Sequence, residues 1–133
     1  MVIIEDLIES IILSDVDVTA IIGDRLYETF ATPRTQAEAE VGIVVPYCTY
    51  HIYSNKREYT FDGAKNSIAR CDVHCFTYSA EDSRNLKNLI ITAFEDAQMV
   101  NSAMSLVDAD EQNFYEQDTK LFHTVAPLQI WFR

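Results

Sequence analysis

A chain of 133 residues, 48% of them hydrophobic, fits one domain and can bury a core without disulfides or a structural metal. Three glycines and three prolines exclude long flexible linkers, and no apolar run approaches the roughly 18–20 residues of a membrane-spanning helix. Ten Lys and Arg against 21 Asp and Glu leave a formal charge of −11, which disfavours a surface that grips nucleic acid.

From Val2 to Leu13, Ile3, Ile4, Leu7, Ile8, Ile11 and Ile12 recur at three- and four-residue steps, the spacing of one helix face. Glu5 and Asp6 suit the positive end of that helix and rule out the basic n-region of a signal peptide. Ser14-Asp15 interrupts the pattern and caps a short helix, Val16 to Ile22, which Gly23 stops. Asp24 to Phe30 reads as a short strand. Ala31 to Val45 holds the turn-like Thr32-Pro33-Arg34-Thr35 and the polar QAEAE run. It is expected to be a long surface loop with room for one helical turn, and loops of that length are usually functional or mobile.

Val44 to Tyr53 is a run of aromatic and branched residues suited to a strand, with Pro46 at its start or on an edge. Ser54 to Ser67 reads as a long charged excursion with a hairpin signal at Asp62-Gly63, either a solvated hairpin or a docking arm for an acidic partner surface. Ile68 to Thr77 is the expected central strand. Its alternation puts Ala69, Cys71, Val73 and Cys75 on a small-residue face against which a helix can pack closely. Ser79 with Asp82 caps that helix, which runs from Ala80 to about Gln98. Leu86, Leu89, Ile90, Ala93, Phe94 and Ala97 line its apolar side, with Arg84, Asn85, Lys87 and Asn88 largely away from it. Val100 to Val107 is a weaker strand candidate, and Asp108 to Asp118 an acidic connection. Thr119 to Phe132 closes the chain as a long strand, apolar on both faces, in which Pro127 is expected to bring a bulge. Runs of strands rather than alternating β and α units predict an α+β fold: a mostly antiparallel sheet packed by an N-terminal helix and one long central helix, forming a single domain over residues 1–133.

No catalytic motif appears in the chain. There is no G-x-S-x-G, phosphate-binding glycine loop, H-E-x-x-H or C-x-x-C pair. Cys71 and Cys75 share a strand face about 13 Å apart, too far for a disulfide, and His74 points to the opposite face. Asp108, Asp110 and Glu111 lack the glycine and the terminal glutamate of a calcium loop. The three histidines and the scattered carboxylates form no constellation readable from spacing. No catalytic residue, metal or cofactor is therefore expected, and the chain reads as a non-enzyme.

The order of segments resembles the phage tail-completion, or tail-terminator, family of head–tail joining proteins in long-tailed phages. The likeness rests on the N-terminal helix with its exit Gly23 to Tyr27, the Pro46-Tyr47 strand opening, Arg70 to Phe76 followed by the helix from Ser79, and the apolar end Ile130-Trp131-Phe132. Ala31–Val45 looks like an expansion of that pattern. The resemblance implies a structural virion protein of the tail or neck, made in the host cytoplasm. It would cap the tail tube as a ring, typically a hexamer, and end tube growth. Its partners would be further copies of itself, the tail tube protein and the head connector, with no membrane and with DNA passing unbound through the lumen. Lys56, Arg57, Tyr59, Phe61 and Lys65 would contact the tube or a neighbour, and Asp108, Asp110 and Glu111 would line an acidic lumen. Under that reading the charge of −11 repels phosphate; otherwise it serves solubility. Another neck component, or a small cytoplasmic binding or adaptor module, is the alternative.

Overall fold

The computed structural model describes the backbone of residues 3–60, 63–96, 104–107 and 112–132, and their side chains outside 58–66, 104–112 and 132. Helix α1 (Ile4–Ser14) buries Ile4, Leu7, Ile8 and Ile12, as its spacing predicts, and leaves Ile3 exposed. The Asp15 carboxylate accepts the Val18 N–H at 3.0 Å and so starts α2 (Val16–Ile22). Gly23 ends α2 at φ 61, a left-handed conformation that favours glycine. Arg25 then donates to the carbonyls of Ile21 (3.1 Å) and Pro46 (2.9 Å), tying the end of α2 to the start of the second strand.

Strand β1 (Leu26–Glu28) follows, then α3 (Gln36–Val41), β2 (Tyr47–Thr60), β3 (Gly63–Thr77), α4 (Ala80–Asp96), β4 (Met104–Val107), β5 (Gln112–Glu116) and β6 (Leu121–Phe132). The sheet runs β1-β2-β3-β6, and β4 and β5 share the far edge of β6. Every pairing is antiparallel except β1 with β2. The fold is the α+β arrangement read from the sequence, with α4 packed on one face of the sheet and α1 and α2 against α4 in the same core.

That packed face is dry. Ala69, Cys71, Val73 and Cys75 on β3 and Ala126, Leu128 and Ile130 on β6 meet Leu86, Ile90 and Phe94 on α4. Ser79 Oγ accepts the Asp82 N–H at 3.5 Å and starts α4. One turn on, the buried Ser83 lies within hydrogen-bond reach of the Cys75 carbonyl (3.3 Å) and of Thr124 Oγ1 (3.0 Å). Thr124 in turn donates to the Ser83 carbonyl at 3.1 Å. A hydroxyl pair at the crossing satisfies its own polar atoms and keeps the backbones close. The third contact between layers is Tyr50, fully buried, whose hydroxyl donates to the Glu9 carboxylate of α1 at 2.8 Å.

Several expectations are corrected. Ser54–Ser67 is the hairpin signalled at Asp62-Gly63, but its sides are paired strand rather than long loop: β2 and β3 stay paired from Tyr47↔Phe76 out to Thr60↔Gly63. Of its charged residues, Lys56 and Arg57 are exposed strand residues. β6 reaches only Ser67 and β1 only Tyr50, so the outer part of the hairpin projects as a two-stranded arm with no described strand on either side. A register shift at Tyr53 lies just past the end of β1 and before β6 ends opposite Ser67, and such bulges sharpen the local twist. Ala31–Val45 contains α3, pinned back by Arg34. The Arg34 guanidinium lies 4.2 Å from the centre of the Tyr27 ring and donates to the carbonyls of Asp24 and Leu26. The Tyr27 hydroxyl reaches the Glu38 carboxylate at 3.3 Å.

Part of the supposed acidic connection is β5, and the weak strand candidate is β4 from Met104; residues 97–103 and 108–111 lie outside the described residues. Pro127 brings no bulge against β3, where it pairs in continuous register with Asp72. On its other edge no described residue pairs with it, because β5 ends at Val125 and β4 begins at Leu128, so its missing N–H interrupts no described ladder there. Lys87 is buried, not turned away, because it follows Ser83 by one helical turn.

Replacing Ser83 by Leu should lower stability by about 1–3 kcal/mol through overpacking, whereas Ser83→Ala should cost about 1 kcal/mol. Urea denaturation with an unchanged m-value measures both. A Ser83→Leu protein as stable as the parent would show that helix and sheet are not in tight contact there.

Candidate functional site

The sheet face turned away from the helices carries the unusual side chains. One aromatic ring from each of five strands forms a band across it. Tyr27 on β1 meets Tyr47 on β2 edge-on at 6.0 Å, and Tyr47 stacks on Phe76 of β3 at 4.8 Å. Phe76 stacks on His123 of β6 at 4.3 Å, and His123 meets Phe114 of β5 at 5.6 Å. The last three of these contacts are direct cross-strand pairs, Tyr47↔Phe76, Phe76↔His123 and His123↔Phe114, so the register places the rings against one another. Such offset aromatic contacts add about 0.5–1.5 kcal/mol each beyond area burial.

Beside this band lies an open hollow of about 380 Å³ lined by Thr29, Phe30, Thr49, His51, His74, Phe76 and His123. All three histidines of the chain line it, although the sequence places them far apart. Thr29 holds φ 65, a conformation a β-branched residue rarely adopts, and its hydroxyl lies 3.4 Å from His51 Nδ1. His74 Nδ1 and His123 Nε2 are 2.6 Å apart, and His123 Nδ1 is 3.5 Å from Glu116 Oε1. A carboxylate accepts only, so His123 carries its proton on Nδ1 and its Nε2 accepts from His74 Nδ1–H. That order leaves His74 Nε2 as an unprotonated acceptor.

Burial lowers the pKa of both rings. For His74 it outweighs the opposing charge of Asp72; for His123 it acts with the nearby His74 and outweighs Glu116. Tyr47 is pushed up, chiefly by burial and then by Glu116. Among the described residues no group of three His, Cys, Asp or Glu side chains is arranged to hold a metal ion. The cysteines are on the other, dry face. Cys48 and Cys75 are cross-strand partners with sulfurs 3.7 Å apart, a pairing invisible in the Cys71–Cys75 spacing. The Cys75 contact and burial push the Cys48 thiol well up, and burial pushes Cys71 up to about 12. These are inert packing thiols.

The residues singled out in the sequence do not converge on the hollow. Lys56 and Arg57 are exposed at the base of the arm, on β2 opposite Ile68 and Ser67, where β6 still flanks β3. Tyr59 and Lys65 lie on its backbone, but their side chains, together with Phe61, Asp108, Asp110 and Glu111, fall outside the described residues. Sequence reading missed the histidine cluster because its members are joined only by register across β2, β3 and β6. The alternation of Thr49 with His51 and of His74 with Phe76 was the one available signal.

No family model matches the chain, and no curated protein matches it. Among solved structures it is similar to a chain of the virion of a native gene transfer agent particle, with a TM-score of 0.61. The match covers 93% of this chain and 90% of that one at 10% identity. The likeness is one of fold.

The lowered histidine pKa values set a pH dependence. Both lie below the ordinary 6.5 in the folded chain, so the unfolded chain binds more protons in that window. The contribution of these rings to stability is therefore complete above about pH 6.5 and is lost as pH falls toward their folded values. Urea midpoints at pH 7.5, 6.5 and 5.5 should fall with acidification, and the doubly substituted His74→Gln/His123→Gln protein should show a shallower fall over the same range.

Proposed function

We propose that the protein is a structural component of a phage-type virion and, within it, the ring that completes the tail. The observation that carries this reading is the shared fold with a virion chain over nine-tenths of both chains. It agrees with the segment order that resembles the tail-completion family. In this reading the protein is not an enzyme: it ends growth of the tail tube, presents a surface to the head connector and leaves a passage for DNA.

The chain has material for such an assembly. Heterologous contacts close into rings, and they need surfaces that do not face each other within one subunit. The projecting arm is such an element. Isolated two-stranded hairpins are marginal in water, so an arm of this kind gains from a partner. It also differs in charge from the body. Lys56, Arg57 and Lys65 against Glu58 and Asp62 make residues 54–67 net +1, which leaves −12 of the total −11 for the remainder. In the proposed ring the arm reaches the tube or a neighbouring subunit, and the acidic body, with Asp108, Asp110 and Glu111 at the lumen, lets DNA slide past unbound.

Replacing Lys56 and Arg57 together by Glu should leave the monomer folded, since both are exposed. It should weaken binding to preformed tail tubes by about tenfold or more, most clearly at low salt. Co-sedimentation with tubes measures this, and unchanged binding at low salt would remove the arm from the docking surface. A ring reconstruction with a predominantly basic lumen would contradict the proposed passage for DNA.

A further inference from the structure

The His74–His123 contact can hold one proton and has no place for a second. A nitrogen separation of 2.6 Å leaves room for one N–H between the rings, and the Glu116 carboxylate beside His123 Nδ1 assigns it to His74 Nδ1 as donor. A first added proton goes to His74 Nε2, outside the contact, and leaves the hydrogen bond in place as a charge-assisted one. A second must go to His123 Nε2, inside the contact, where two N–H groups would then face each other on two like charges.

Each ring has a carboxylate of its own to turn to, in different directions. Asp72 is two residues from His74 on the same face of β3 and pairs in register with His51 of β2. Glu116 of β5 is already 3.5 Å from His123 Nδ1. From β2 the cluster is faced by His51, Tyr47 and the Thr49 hydroxyl, and from the end of β1 by the Thr29 hydroxyl. Farther along β1, Arg34 and Glu38 are engaged with Tyr27.

We propose that the His74–His123 pair is an acid-operated switch of the open sheet face: double protonation parts the two rings, His74 toward Asp72 and His123 toward Glu116, and converts a neutral aromatic hollow into a dicationic one. The β3–β6 ladder is made of backbone bonds and stays intact, so the switch changes the face without unfolding the sheet. His123 also stacks on Phe76, and its turn breaks the aromatic band between β3 and β5. This inference concerns the isolated chain and does not rest on the virion reading.

Imidazole NMR titration of the intact protein from pH 8 to 5 tests it. At pH 8 the long-range nitrogen–proton pattern should show both rings protonated on Nδ1, with a strongly downfield shared proton. His74 and His123 should then titrate as a coupled pair in two steps at least about one pH unit apart, and the shared proton should survive the first step and vanish in the second. Asp72→Asn should move the first step to lower pH and leave the second nearly in place. His74→Phe should give His123 a single step at higher pH than in the parent. If His74→Phe fails to fold, the parent and Asp72→Asn titrations decide the matter. Two independent single-step titrations in the parent, persistence of the shared proton through both steps, or an Asp72→Asn protein with unmoved steps would overturn the proposal.

Discussion

Close contact between α4 and the β3–β6 pair is the constraint on which the other features depend. The contact exists because the sheet presents small side chains there, Ala69, Cys71, Val73, Cys75 and Ala126, and because the helix presents Ser83 at the crossing. A larger residue at any of these positions would push the layers apart. The buried hydroxyls of Ser83 and Thr124 bond each other and the adjacent backbone, so closeness leaves no stranded polar atom at the crossing. Cysteine suits this role on β3: it is small, apolar and inert when its thiol is buried.

With the helices gathered on one face, the other face is free to carry different chemistry. Aromatic and imidazole rings replace aliphatic side chains there, and they contact one another in a band across five of the strands. Histidines give this face a response to pH that the dry face lacks. The third element, the arm, follows from unequal strand lengths. β2 and β3 outrun β1 and β6, and nothing within the described chain completes the ladder at their outer ends.

Local pattern made some of this readable and left some of it hidden. Periodicity located α1, α2 and α4 because their apolar faces meet a core, and the two-residue alternation on β3 revealed the small face that α4 covers. Lys87 was misplaced because a long side chain can bury its stem, which a binary pattern does not register. Asp62-Gly63 signals the hairpin, but charged residues such as Lys56 and Arg57 break the apolar alternation and hide the length of its strands. β5 was hidden in an acidic run in which Phe114 and Tyr115 are the only large apolar groups. The histidine site is the clearest limit. His74 and His123 are 49 residues apart, and only the β3–β6 register brings their nitrogens together.

An assembling virion protein would use these features in concert: a rigid two-layer body, an arm for a partner, and an exposed face open to a further contact. The most direct measurement of that role is the copy number of this chain in purified particles, by quantitative mass spectrometry against the tail tube protein. A tail-completing ring predicts a small fixed number of copies per particle, consistent with one ring and independent of tail length. Absence from the particles, or a copy number that grows with tail length as that of the tube protein does, would contradict it.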